Sequence, residues 1–287
     1  PNSLQSLSLG GHIDDVVFNT VLDQHGQSLR RLSLYQDDAD DDDGSGDGPP
    51  PPPPFVLTPV LVTRLAEACP NVELLELCMT RTRGDARECA VYRALAAVPR
   101  LRRLSLKLRY TIDISEDAQE EDSFTGDPED LPRADLSRIF ADAAFGATLA
   151  RSIFDLISPG GSSGRLQYLR LELVHKVGRD YRFYTLAYDR RFADLLRWLG
   201  RPWICKRPRR GGAGTGTGTP ADVEIRDADP GRTVAAGRVW QEVDEESRRW
   251  PGSGAERYID AFGDVWPQTG APRWWEHWTS RPLSPEV

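Results

Sequence analysis

The six residues Leu101-Arg102-Arg103-Leu104-Ser105-Leu106 have the form L-x-x-L-x-L, and this form decides the fold. Four further stretches match it, with one valine in place of a leucine: residues 4–9, 29–34, 72–77 and 166–171. The last two leucines of each motif are two positions apart, so both side chains point to the same face of a short strand. The motifs therefore predict five strands, each with one leucine-rich face.

Helix-like segments separate these motifs. The spacing of their apolar residues predicts helices over 14–24, 58–68, 85–97 and 191–199, and over 134–157 either one long helix or two halves broken at Gly146. Thr58 followed by Pro59 is a typical helix start. A unit of strand, turn, helix and turn is thus repeated about five times, and such units bury their apolar faces only against their neighbours.

The motifs are unevenly spaced, since they start 25, 43, 29 and 65 residues apart. The two long intervals require insertions. Residues 36–55 contain six aspartates between Asp37 and Asp43 and then six consecutive prolines, a composition that predicts a disordered acidic and Pro-rich insert. Residues 115–132 predict an acidic loop in the second interval.

The whole pattern resembles the leucine-rich-repeat family. The sequences Cys69-Pro70-Asn71-Val72 and Val98-Pro99-Arg100-Leu101 are similar, more narrowly, to the repeat region of fungal F-box proteins. This resemblance covers residues 1–173. It implies an α/β fold of the irregular leucine-rich-repeat solenoid type, with a curved parallel sheet on the concave side and helices on the convex side.

The same resemblance implies a function. In that family an N-terminal F-box docks on the Skp-type adaptor of a cullin–RING ubiquitin ligase, and the repeats hold the substrate. The chain begins with Pro1, and Leu4 already fits the repeat, so we expect a piece of a longer protein that would reach the adaptor only through a missing F-box. The expected function is substrate recognition; the alternative is a leucine-rich-repeat scaffold with no ligase link.

Strand alternation predicts which side chains lie on the concave face. They are Ser6, Ser8, Arg31, Ser33, Tyr35, Leu74, Glu76, Arg103, Ser105, Lys107, Arg109, Tyr168, Arg170 and Glu172. We expect the partner-binding residues among them to be Tyr35, Glu76, Arg103, Ser105, Lys107, Arg109, Tyr168, Arg170 and Glu172. Arginine and tyrosine often anchor protein interfaces. The hypothesis is that an acidic or phosphorylated segment of a protein substrate docks near Arg103, Lys107, Arg109 and Arg170; the alternative is a merely solvated face.

The remainder of the chain divides into two parts after the repeats of residues 1–200. Residues 201–220 predict a basic, Gly-rich linker, in which Lys206, Arg207, Arg209 and Arg210 form either a nuclear-import signal or an accidental basic cluster. All eight tryptophans lie at or after Trp198. Residues 221–287 therefore predict a Trp-rich segment that folds back to cap the last repeat, with a partner-binding motif as the alternative.

Composition narrows the classes of function. The net charge of −8 disfavours nucleic-acid binding by the surface as a whole, and no apolar run approaches the roughly eighteen residues of a membrane span. Four scattered cysteines without a C-x-x-C pair favour reduced thiols in a cytoplasmic or nuclear protein. The Gly-rich residues 211–218 lack a phosphate-loop ending, and the four histidines lack metal-ligand spacing. We therefore expect no enzyme activity, cofactor or metal.

Overall fold

The computed structural model describes residues 4–11, 13–35, 56–112, 131–159, 165–177, 190–208, 223–267 and 273–284. The strands in these ranges are β1 (Ser6–Leu9), β2 (Arg31–Leu34), β3 (Leu74–Thr80), β4 (Arg103–Ile112), β5 (Tyr168–Val177), β6 (Trp203–Lys206) and β7 (Glu224–Asp227). The helices are α1 (Asp15–His25), α2 (Pro59–Ala68), α3 (Ala86–Leu95), α4 (Arg133–Ala143), α5 (Ala147–Ile157), α6 (Arg190–Leu199), α7 (Pro230–Arg249) and α8 (Ala255–Val265). The predicted α/β class is confirmed.

The strands form one open, seven-stranded sheet in the order of the sequence, β1 to β7. β1 to β5 run parallel to one another. β6 runs antiparallel to β5, and β7 runs antiparallel to β6. The register places motif beside motif, so that the middle leucines are neighbours from strand to strand: Leu7, Leu32, Leu75, Leu104 and Leu169. The five predicted strands are therefore present and aligned as the motifs require.

One hydrogen-bond pattern is repeated where the strands start. The carbonyl oxygen of Gln5 accepts from the backbone N–H groups of Arg30 and Arg31 at 2.8 and 3.0 Å. The carbonyl oxygens of Arg30, Glu73 and Arg102 each accept two N–H groups of the next strand in the same way. This ladder fixes the register before the regular pairing begins.

The predicted helices lie within two residues of their expected ends. Thr58, the expected cap, accepts a hydrogen bond from the backbone N–H of Leu61 at 3.3 Å. Asp14 and Asp85 cap α1 and α3 through the N–H groups three residues ahead. Such caps satisfy donors that the helix leaves unpaired and so define where it begins.

The segment 134–157 forms two helices rather than one. α4 ends at Ala143 and α5 begins at Ala147, so the break includes Gly146, as the second alternative predicted. Phe145 in this break is buried. Its carbonyl oxygen accepts a hydrogen bond from Trp203 Nε1 at 2.6 Å, which ties the break to β6.

Two apolar cores lie on either side of this break. The first contains the leucine faces of the strands and the inner sides of α1, α2, α3 and α5. The second contains α4, α6, α7 and α8 and is rich in aromatic side chains. Trp240, fully buried, lies at its centre, with ring centroids of Phe140, Phe262 and Trp274 at 5.4, 5.1 and 5.5 Å.

The C-terminal residues 273–284 run from the second core to the first. The backbone carbonyl of Trp275 accepts a hydrogen bond from Trp198 Nε1 at 3.0 Å, and the N–H of Ser284 donates to the carbonyl of Gly84 at 2.7 Å. The Trp-rich segment thus packs on α4 and α6 and on the turn before α3. Its role as a cap stays a prediction.

One sequence prediction needs correction, and three predicted segments lie wholly or largely outside the described residues. Trp203–Lys206 forms β6, paired with β5, so these residues are a strand and not part of a linker. The insert 36–55, residues 115–130 of the acidic loop and the Gly-rich residues 211–218 lie outside the described ranges. Leu131, at the end of the predicted loop, is fully buried.

Candidate functional site

The nine expected partner-binding residues lie on one face of the sheet, which we call the strand face. Along β3 and β4, half-exposed side chains alternate with buried ones, as the motif requires. The register places Glu76 beside Ser105 and Ser105 beside Arg170. Three consecutive strands therefore present a continuous row of polar groups.

Tyr35 and Glu76 form the centre of this face on the β2 side. The Tyr35 hydroxyl and the Ser33 hydroxyl both donate hydrogen bonds to the Glu76 carboxylate, the second at 2.8 Å. The bond to Glu76 is the main reason that the pKa of Tyr35 lies above its usual value. The Lys107 ammonium lies 5.1 Å from the centroid of the Tyr35 ring, within cation–π range. Tyr35 is thus held by neighbours on two other strands.

A second pair lies on β4 and β5. The Arg103 guanidinium lies 4.9 Å from the centroid of the Tyr168 ring, and these two residues are neighbours in the register. Next to them, Arg170 Nη2 lies 3.5 Å from the Glu172 carboxylate. Both rings on the face therefore have a cationic neighbour, and a partner would meet aromatic and cationic groups side by side.

The described residues of the strand face contain no buried acid–base pair, but buried charged side chains lie elsewhere in the described ranges. The most enclosed polar group is Glu88 at the start of α3, only 3 % exposed. Its carboxylate accepts from the N–H groups of Thr82 and Gly84 and from the Tyr92 hydroxyl, at 2.7, 2.8 and 2.7 Å. Three donors, two in the turn and one in α3, thus use this carboxylate to fix the turn before α3.

Arg81 lies at the edge of the same turn. It is 6 % exposed, and burial lowers the pKa of its guanidinium, while the carboxylates of Glu88 and Asp142 act in the opposite direction. Its Nη2 donates to the carbonyl of Ala144 at 3.4 Å, and its guanidinium lies 5.1 Å from the Phe145 ring centroid. These contacts join the turn to the break between α4 and α5, which is a packing role.

The described ranges also bear on metal sites, membrane spans and cysteine chemistry. In these ranges no three His, Cys, Asp or Glu side chains are grouped as metal ligands. None of the helices described is both long and apolar enough to cross a bilayer. The cysteines have free thiols, and burial raises the pKa of Cys69 to about 11 and of Cys205 to about 12.

The basic cluster after α6 is only partly described. Lys206 is the last residue of β6, and Arg207 donates from Nη2 to the Ser158 hydroxyl at 3.1 Å. The Arg207 guanidinium also lies 5.5 Å from the Phe154 ring centroid. Arg209 and Arg210 lie outside the described residues. The import signal stays a prediction, and its first two residues are engaged in the fold.

No family model, no curated protein and no solved structure matches the chain.

Strand alternation did not identify two arginines that the structure places beside the strand face. Arg30 and Arg102 each precede a strand, where the alternation of faces does not yet apply, and both are exposed. The signal was present in the sequence as the dipeptide Arg-Arg at the same position of two motifs.

Proposed function

We propose that this chain is a protein-interaction module of the leucine-rich-repeat type, and that its strand face holds a protein partner. One observation carries the proposal. The five L-x-x-L-x-L motifs lie on five successive parallel strands in register, residue for residue. Such stacking buries the leucines on one side and leaves the residues between them as a continuous outer surface, which is how repeat arrays create binding surfaces.

The partner segment is acidic or phosphorylated. The strand face contains Arg103, Lys107, Arg109 and Arg170 on two adjacent strands, within a protein whose net charge is negative. Cationic and aromatic side chains in one patch select anionic partners and speed association with them. This chemistry is a property of the patch and not of the whole surface.

A variant of four residues tests the strand face. Arg103→Gln, Lys107→Gln, Arg109→Gln and Arg170→Gln together should weaken capture of an identified partner at least tenfold in a quantitative pull-down. The matched control removes the same charge from exposed helix positions, with Arg87, Arg93, Arg238 and Arg257 changed to glutamine. Equal capture by both variants would refute the site.

The narrower proposal is that the captured protein is a ubiquitin-ligase substrate and that the chain is the substrate-recognition part of an F-box-type receptor. Its support is the likeness of residues 1–173 to the repeats of fungal F-box proteins. If it holds, depleting the protein in cells should lengthen the half-life of the captured partner. An unchanged half-life favours the alternative, a scaffold with no ligase link.

A further inference from the structure

A groove of about 550 Å³ lies where β1 to β4 start, at the edge of the strand face. Its lining includes four arginines, Arg30, Arg31, Arg102 and Arg103, and one carboxylate, that of Glu73. A volume of this size is typical of a ligand site and exceeds that of one small ion. The groove therefore has room for a charged group together with the chain that carries it.

The backbone determines how the arginines are placed. In the register, Arg31 is the neighbour of Leu74, and Leu74 is the neighbour of Arg103. Adjacent strands lie about 4.8 Å apart, so the two Arg-Arg pairs flank β3 about 10 Å from each other. Arginine side chains are long enough to reach one shared ligand from both sides. The hydrogen bonds at the strand starts hold both pairs in this register.

The positive charges of the four arginines in this groove are offset by only one carboxylate among the residues that line it. Glu73 lies between the pairs, and its Oε1 is 4.0 Å from Arg30 Nη1, the limit of an ion pair. Within the described ranges, no carboxylate forms an ion pair with Arg31 or Arg102. The Arg30 side chain is 60 % exposed. The groove thus concentrates cationic groups that solvent can reach.

A phosphate group fits this arrangement better than a carboxylate. A phosphorylated side chain carries about −1.5 to −2 charges at neutral pH and three acceptor oxygens. Guanidinium groups bind phosphate through paired N–H donors, which lysine cannot reproduce. Two arginine pairs on opposite sides of β3 can therefore bind several oxygens of one phosphate.

We propose that this groove is a phosphate-binding site that receives a phosphorylated residue of the partner, while the rest of the partner segment lies along the strand face. The identity of the ligand as part of a protein rests on the proposed function. The groove can be tested separately from the part of the strand face that contains Lys107 and Arg109. Lys107 and Arg109 follow Arg103 by four and six residues along β4, or about 13 and 20 Å.

Fluorescence anisotropy at low ionic strength tests the groove with the full chain. The probe is a fluorescein-labelled ten-residue Gly/Ser peptide that carries two phosphoserines, and the comparison peptides carry serine or glutamate at those positions. We expect wild-type protein to bind the phosphopeptide at least tenfold more tightly than either comparison peptide. Arg30→Gln with Arg102→Gln should weaken this binding at least tenfold.

Two control variants make the result specific. Arg87→Gln with Arg93→Gln, and Arg238→Gln with Arg257→Gln, remove the same charge from exposed helix positions and should change the affinity less than twofold. The inference is overturned by equal losses in the three variants, by equal binding of the glutamate peptide, or by preference for a single-stranded oligonucleotide. Inorganic pyrophosphate that binds as tightly as the peptide would show a site for free anions and overturn the assignment to a protein segment. If the groove does not bind the phosphopeptide, the pull-down still tests the strand face, because Lys107, Arg109 and Arg170 do not line the groove.

Discussion

Gly237 of α7 lies directly against the indole ring of Trp198 on α6. A Cβ atom added at Gly237 would come within 2.6 Å of Trp198 Cζ3, so the ring or the helix would have to move. The same helix contains Gly231, where an added Cβ would meet no atom within 4 Å. The close approach of α6 and α7 therefore depends on the missing side chain.

These two glycines give a matched prediction. Gly237→Ala should be less stable than Gly231→Ala by about 1–3 kcal/mol, the usual cost of overpacking. Gly231 lies in the first turn of α7, where alanine gains less helix propensity than at the interior position 237. The difference is therefore a lower limit for the cost of the contact with Trp198. Urea denaturation followed by circular dichroism measures it. Equal stabilities would mean that the helices are not packed as described.

The alignment of the motifs predicts that leucine-to-alanine changes at equivalent positions lower the free energy of unfolding by unequal amounts. Leu104 is fully buried in the middle of the sheet, whereas Leu7, its equivalent on the edge strand β1, is half-exposed. Leu104→Ala should lower the free energy of unfolding by about 2–5 kcal/mol, since it leaves a cavity. Leu7→Ala should cost less than half as much. The opposite order in urea titrations would argue against the observed stacking.

The second core should depend on Trp240. Trp240→Ala should lower the free energy of unfolding by about 3–5 kcal/mol, because it removes the ring that Phe140, Phe262 and Trp274 contact. The control is Trp250→Ala, since this ring is 62 % exposed and such surface changes stay within about 0.5 kcal/mol. Differential scanning fluorimetry separates the two variants. A Trp240→Ala protein that melts like the Trp250→Ala control would contradict the aromatic core.

Buried thiols predict a loss of stability at alkaline pH. The pKa of a free thiol is near 9, and burial raises it to about 11 for Cys69 and about 12 for Cys205. A pKa raised in the folded state stabilises the fold fully below pH 9, and this contribution is lost as the pH rises through 9 toward the folded values. The free energy of unfolding should therefore fall between pH 8 and pH 10.5.

The matched variant is Cys69→Ala with Cys205→Ala, which should be less stable at pH 8 but lose less between the two pH values. Tyr92 and Tyr110 are also buried, and burial raises the pKa of both, so part of the slope above pH 10 should remain. An identical slope in the variant and the wild type would exclude the thiols as its cause.

The import signal can be separated from the fold. Residues 200–220 fused to a fluorescent reporter should accumulate in the nucleus if the cluster is recognised, because an importin needs an extended, accessible chain. In the full chain, Lys206 is part of β6 and pairs with β5, and Arg207 contacts Ser158 and Phe154, so full-length accumulation should be weaker. A cytoplasmic reporter would remove the import hypothesis.

Local signals account for the parts of the fold that the sequence predicted. The leucine pairs two residues apart fixed the faces of β1 to β5, and Thr58 with Pro59 marked the start of α2. Each signal lies within about six residues and acts through the backbone of its own segment. The nine expected binding residues share one face of the sheet for the same reason, and their role in binding stays a prediction.

Contacts between residues that are distant in the sequence explain why the sequence analysis did not predict β6, the second core and the groove. β6 becomes a strand only because β5 offers it an edge, and the second core joins Phe140 to aromatic residues more than a hundred positions later. The sequence analysis did not predict α7 and α8, although their buried residues recur at helical spacing: Ala236, Trp240 and Val243 in α7, and Ala255, Tyr258 and Phe262 in α8. The groove likewise arises from two Arg-Arg pairs in separate motifs, which only the register brings to the two sides of Glu73.

The sequential order of the strands has a consequence for how the protein folds during its synthesis on the ribosome. In the part of the chain that the structure describes, each strand pairs only with those immediately before and after it in the sequence, so none of these strands has to wait for a distant one. At about 5–20 residues per second, translation delivers one new strand every few seconds. The nascent sheet therefore grows as each new strand pairs with the edge that the preceding strand leaves open.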